Sequence, residues 1–281
     1  MAKDEPPRSR AARRAAEDAL VRVVHHYGET PEFVLLGGLV PDLLCSQAGF
    51  IHAGTTDVDV QVDLEIAAGA TNMARLEQAL GNAEFTPDPQ RVWRWQTDVE
   101  GQKAVVKFEL LADLDYAPGG SVVSFEECEE LGAVNLRGTG FAARDFSPRP
   151  MNARMGGVHY RVDVNVTSLA GFILAKIAAA YGRRKEKDWY DIAFVLLHND
   201  TGGPEVAARL VQNRFGSELV GGIRTAIDDL DANFATPDTQ GPAAYASQMV
   251  IDHPGLDEIS LRADSVVAVH TFYSHLVPDV T

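Results

Sequence analysis

The sequence is poor in cysteine, poor in cationic residues and free of long apolar runs. Cys45 and Cys128 are its only thiols. Two are too few for a disulfide framework or a four-cysteine zinc site, and a reducing, cytoplasmic setting is expected. No stretch approaches the ~20 apolar residues of a membrane helix. The opening residues MAKDEPPRSRAARRAAEDALV lack the apolar centre of a signal peptide. No membrane partner is therefore expected. Lysine and arginine total 25 against 40 aspartates and glutamates, a net charge of −15. That balance counts against a broad surface for gripping nucleic acid and leaves room for a local basic site. There is no Gly-x-x-x-x-Gly-Lys-[Ser/Thr] loop and no His-Glu-x-x-His helix, so P-loop and zincin chemistry are excluded.

What is present is ordinary globular material: 281 residues, 46% apolar, enough for one large domain or two modest ones. Residues 8–27 read as an amphipathic helix, with Ala12, Ala16, Leu20, Val23 and Val24 near one face. Phe33 to Leu36 is a short strand running into Gly37-Gly38, and 39–46 is a short helix. Residues 56–63, TDVDVQVD, alternate strictly and predict a strand. Further expectations are a helix over 71–81 and strands over 91–96 and 104–111. Short strands are expected at 134–136 and 159–164. From Ser168 the pattern is helical, over 168–181, 187–198, 204–214, 217–232, 243–250 and 257–276. The fold class expected is an α/β (α+β) domain with a mixed sheet over 1–165, then a helical domain over 166–281.

Alternation in TDVDVQVD puts Asp57, Asp59, Gln61 and Asp63 on one strand face and three valines on the other. Carboxylates crowded on one face repel unless they are solvated or neutralised by a cation. Mg²⁺ takes oxygen ligands, commonly one or two carboxylates plus substrate phosphates. The upstream Gly37-Gly38 lies between a strand and a helix, where glycine lets backbone N–H groups approach a phosphate. A Gly-Gly turn followed by an Asp-x-Asp strand is far more specific than either alone. In VVKFELLAD, Glu109 sits in an apolar run that demands a cationic partner. It is the candidate third carboxylate, with Asp113 the alternative and an ion pair with Lys107 the structural reading. The Arg183, Arg184, Lys185, Lys187 cluster reads either as a solvated helix turn or as a phosphate site. Arg8, Arg10, Arg13 and Arg14 are a second short basic run. Arg91, Trp93 and Trp95 share a strand face suited to base stacking or to core packing.

These residues resemble the nucleotidyltransferase superfamily of polymerase β type. The segment Lys176-Ile177-Ala178-Ala179, Arg183, Lys187-Asp188 and Asp191-Ile192 is similar to the helical motif of the AbiEii-type nucleotidyltransferases, which include toxin halves of bacterial toxin–antitoxin pairs. The resemblance covers roughly residues 33–198. It implies that Gly37 and Gly38 hold the triphosphate, that Asp57, Asp59 and Glu109 bind two Mg²⁺ ions, and that Lys176 contacts the triphosphate. Arg183 and Lys187 add nucleotide contacts, and Asp191 positions Lys176 or the nucleotide. Glu109 is the implied base. Many relatives carry Gly-Ser where this chain has Gly37-Gly38, and the stretch from that turn to Asp57 is longer here. The implied reaction moves an NMP from an NTP to an acceptor hydroxyl. Implied partners are the NTP, tRNA or another RNA, and a cognate antitoxin. A small-molecule acceptor such as an antibiotic, and a non-catalytic nucleotide-binding role, are the competing readings.

Overall fold

The structure is a computed structural model and describes residues 9–62, 71–98 and 105–277. Asp63 and Arg8 of the sequence reading lie outside the described residues. The chain forms two compact units. One holds the residues up to Leu39 together with Gly54–Thr167, and the other holds Val40–Ala53 together with the residues from Ser168 on.

The first unit is a mixed sheet with helices. Helix α1 (Arg10–Tyr27) starts where the Ser9 hydroxyl accepts from Ala12 N at 3.1 Å and ends at Gly28, whose φ of +88° suits a helix C-cap. Strand β1 (Val34–Leu36) runs into a 3₁₀ turn at Gly37–Leu39, and the chain then enters α2 (Val40–Leu44) of the other unit. On return come β2 (Asp57–Gln61), α3 (Thr71–Asn82), β3 (Thr86–Asp88), β4 (Arg91–Asp98), β5 (Val105–Ala112), β6 (Val122–Ser124), β7 (Gly132–Asn135), the short α4 (Gly140–Ala143), β8 (Phe146–Met155) and β9 (Val158–Thr167). The strand order is β3-β4-β5-β2-β1-β9-β8, with β7 also pairing β5 and β6. Strand β2 runs antiparallel to β1 and parallel to β5. Helix α1 packs on α3 and on β2, β5, β8 and β9. Val58, Val60 and Phe108 are wholly buried, while Asp57, Asp59, Lys107 and Glu109 on the opposite face are only partly covered.

Strand β8 carries Pro148 and Pro150, which break the sequence signal for a strand. It forms because β8 lies at the sheet edge, where a missing N–H leaves no ladder bond unmade. Trp95 is buried opposite Phe108 in the β4–β5 register, so it packs in the core.

The second unit is helical: α5 (Leu169–Arg183), α6 (Glu186–His198), α7 (Pro204–Phe215), α8 (Gly222–Asn233), α9 (Gln240–Asp252) and α10 (Glu258–Leu276). Helix α6 is its axis. Every residue from Asp188 to Leu196 is buried, the condition of a helix surrounded by neighbours. It packs on α2, α5, α7, α9 and α10. Residues 40–53 are fastened to this unit by polar groups. The Asp200 carboxylate accepts from Ser46 N, Ser46 Oγ and Gln47 N at 3.0, 2.7 and 2.9 Å. Ala53 N donates to the Tyr190 hydroxyl at 3.0 Å. The Phe50 ring lies against the rings of His198 and His253. No described helix is long and apolar enough to cross a membrane.

Candidate functional site

The first unit gathers the Gly-Gly turn and the acidic strand at one place. Leu36, the residue before the turn, pairs with Asp59 in the β1–β2 register. Gly37 has φ +78°, and a Cβ there would collide with the Asp59 carboxylate. A side chain at Gly38 would press on Thr55 at 3.0 to 3.3 Å. Gly37 is therefore required by both backbone conformation and close approach, while Gly38 sits in tight contact with Thr55. The Thr55 hydroxyl accepts from Asp57 N at 3.0 Å and so fixes the start of the acidic strand.

Asp57 and Asp59 stand opposite Lys107 and Glu109 in the parallel β2–β5 register, and Glu109 stands opposite Arg94 on β4. Opposed residues point to the same sheet face. The result is a patch of alternating sign. Lys107 Nζ is 3.5 Å from Asp57 Oδ1, and Arg94 Nε donates to Glu109 Oε1 at 2.5 Å. The cation that Glu109 requires is Arg94, with Lys107 serving Asp57. Asp113 lies past the end of β5 and accepts from Gly138 N and Gly140 N, both at 2.9 Å. Burial raises its pKa, and these two N–H groups partly offset that. Asp113 thus holds the turn that leads into α4.

The donor chemistry of Asp57 and Asp59 suits Mg²⁺, which binds through one or two carboxylates and completes its shell with water and phosphate oxygens. Among the described residues, no three His, Cys, Asp or Glu side chains converge as a metal-holding group. The fit therefore rests on the Asp57–Asp59 pair; the Arg94 contacts of Glu109 fall on its Oε1.

The second unit brings Lys176, Arg183 and Asp191 into one chain of charges, in which Lys176, Asp188 and Asp191 are buried and Arg183 is exposed at its end. Lys176, 7% exposed, donates to Asp191 Oδ2 at 2.7 Å and lies 3.5 Å from Asp188 Oδ1. Arg183 donates two bonds of 2.6 Å to the two oxygens of Asp188. Asp191 Oδ1 lies 2.9 Å from His52 Nε2. Burial alone would lower the Lys176 pKa, but Asp191 and Asp188 outweigh it and hold the ammonium above its ordinary value. Two cations face two carboxylates, which is the condition for keeping such charges inside a protein. Lys187 is half-buried in the first turn of α6. Arg184 pairs with Asp229 at 2.7 Å.

Three of these partners are absent from the sequence-derived site and its motif: Arg94, Thr55 and His52. Asp188 stands in the helical motif read from the sequence, without a role of its own there. His52 carries no such signal, since 139 positions separate it from Asp191.

No family model matches the sequence, and no curated protein matches it. Among solved structures, the chain is similar to the crystal structure of an antigenic nucleotidyltransferase-like protein from Paracoccidioides brasiliensis, at 18% identity. The similarity covers 78% of this chain and 94% of that one, with a TM-score of 0.38. A superposition that loose carries no functional argument, so the assignment of chemistry rests on the side chains themselves.

Proposed function

We propose that the protein is a Mg²⁺-dependent nucleotidyltransferase that moves a nucleoside monophosphate from an NTP to a hydroxyl of RNA, the tRNA 3′ end first. The observation that carries this reading is the seating of Gly37 directly against the Asp59 carboxylate. A backbone able to approach phosphates and a carboxylate pair able to hold their counter-ion occupy one corner of one sheet.

In this reading Asp57 and Asp59 hold the metal, and Gly37-Gly38 present backbone N–H groups to the triphosphate. When bound, Mg²⁺ supplies Lewis-acid polarisation of the phosphoryl oxygens and makes the attacking hydroxyl more acidic. The acceptor hydroxyl gives its proton to Glu109 as base, its oxygen forms a bond to the α-phosphorus, the bond from that phosphorus to the bridging oxygen breaks, and pyrophosphate leaves with that electron pair. Lys176 offsets negative charge on the phosphates. Asp191 and Asp188 hold that ammonium in its charged form. Glu109 serves as base or third ligand, the Arg94 contacts falling on its Oε1. The RNA acceptor and a toxin role are supported by the likeness of 176–192 to the AbiEii-type motif.

The test is incubation with Mg²⁺, each labelled NTP and total bacterial RNA, with Asp57→Ala and Asp59→Ala as controls. Label entering RNA with the wild-type protein alone is expected. Equal labelling by either variant would overturn the metal assignment. Nucleotide binding without labelled RNA would move the acceptor to the small-molecule class.

A further inference from the structure

The acidic patch of the sheet carries cations of its own. Across β2, β5 and β4 its residues stand in two rows, Asp57–Lys107–Gln96 and Asp59–Glu109–Arg94. Members of a row point to one sheet face, and residues two apart on a strand share that face. The two cations are placed differently. Arg94 comes from β4, on the far side of β5 from β2, and its contacts fall on Glu109 Oε1. Lys107 reaches toward β2 itself, and its Nζ lies 3.5 Å from Asp57 Oδ1. Both side chains are partly covered, at 25% and 23% exposure, so water and salt screen them less than an open surface pair. Of the two cations, Lys107 is the one that meets a carboxylate assigned above to the metal.

We propose that Lys107 is the resting counter-ion of Asp57, and that a divalent ion binds the Asp57–Asp59 pair by exchange with it. The inference rests on the metal assignment made above and adds how occupancy of that pair is regulated. A carboxylate oxygen that faces an ammonium gives up that contact when it takes a metal. A metal–oxygen bond of about 2.1 Å, added to the 3.5 Å contact, keeps an ion on Oδ1 within ~5.6 Å of the resting Nζ. At that separation a single and a double positive charge repel enough to weaken binding about tenfold, even at the dielectric constant of water. Lys107 thus steadies Asp57 in the metal-free protein and lowers its affinity for a bare ion. The ammonium has to leave Asp57 before the ion is held at full strength.

The test titrates the full chain with Mn²⁺, without nucleotide and at low ionic strength, and reads free Mn²⁺ by electron paramagnetic resonance. Lys107→Met keeps the length of the side chain without its charge and should bind Mn²⁺ about tenfold more tightly than wild type. Lys107→Gln, a second neutral variant, should do the same, and circular dichroism checks that each variant is folded. Lys107→Arg keeps the charge and should bind like wild type. Adding Asp57→Ala to Lys107→Met should abolish the gain, which assigns it to that carboxylate. Unchanged or weaker binding in the folded neutral variants overturns the exchange and leaves the metal assignment standing. Equal tightening in Lys107→Arg also overturns it, because charge would then not be the cause. Mn²⁺ binding by none of these proteins overturns the metal assignment itself, and the exchange with it.

Discussion

Gly37 and Asp59 are packed so closely that a side chain at the glycine would fall on the Asp59 carboxylate. The turn also needs the left-handed backbone conformation, at φ +78°. Gly37→Ala should therefore lower stability by at least ~1–2 kcal/mol from the backbone alone, and should displace Asp59 as well. Chemical denaturation checks this. In the Asp59→Ala background the same substitution should cost less, because its steric partner is gone, and a double-mutant cycle reads the difference.

A ligand that binds only the folded state raises the melting temperature by mass action. Mg²⁺ with an NTP at about 100 times its dissociation constant should stabilise the wild-type protein by roughly 2.7 kcal/mol. The stabilisation should vanish in Asp57→Ala and Asp59→Ala, which should otherwise melt within a few degrees of wild type. Calorimetric melting with and without Mg²⁺ and NTP decides it, and an equal shift in all three proteins would remove both carboxylates from the site.

Arg94 and Glu109 compensate one another at a partly covered position on the sheet. Replacing either alone should destabilise the fold by about 1–3 kcal/mol, since a charge-assisted bond is lost and its partner left behind. Replacing both, as Arg94→Met with Glu109→Leu, should recover much of that loss. A non-additive result in urea denaturation is expected, and additivity would mean the pair contributes nothing as a unit.

Removing one member of a buried ion pair is more costly than removing an exposed one. Lys176→Met leaves Asp191 without its cation and should destabilise the protein by ~3–5 kcal/mol. Lys176→Met with Asp191→Leu should be closer to wild type in stability while remaining inactive. Melting temperature and labelled-nucleotide transfer, measured together, separate the stabilising role of Lys176 from the one proposed for it in transfer.

His198 donates or accepts at Tyr245 Oη, 3.0 Å away. Burial and the nearby His253 push its pKa down to about 4. Its ordinary value is about 6.5 in the unfolded chain. Between those two values the unfolded chain binds the proton and the folded protein does not, so stability falls as pH drops through that window. The loss over that window is on the order of 3 kcal/mol. His198→Phe should flatten this part of the stability curve relative to wild type between pH 7 and pH 4.5. Parallel curves would show that His198 is not a source of acid sensitivity.

The elements that repeat with a clear period were legible in the sequence. Alternation in 57–61 places the two aspartates on the less covered face, and the helices from 169 to 276 follow their apolar spacing. Glu109 reads from the sequence as needing a cation, with Lys107 in view; the partner is Arg94 instead, because a strand pattern does not say which neighbour lies across the ladder. Strand β8 was illegible because two prolines argue against a strand unless its edge position is known. His52 and the placement of 40–53 were illegible for a different reason. They depend on polar bonds between residues far apart in sequence, to which periodicity is blind. Asp200 with Ser46 is one such pair and Asp191 with His52 another.

The excursion of residues 40–53 also bears on inheritance. The chain passes between units at 39/40, 53/54 and 167/168, so neither unit corresponds to one uninterrupted stretch of coding sequence. A duplication, fusion or truncation that cut only after residue 167 would separate α6 from the segment that meets the Tyr190 hydroxyl and Asp191. The helical unit can therefore be exchanged between genes only together with a fourteen-residue graft taken from inside its neighbour.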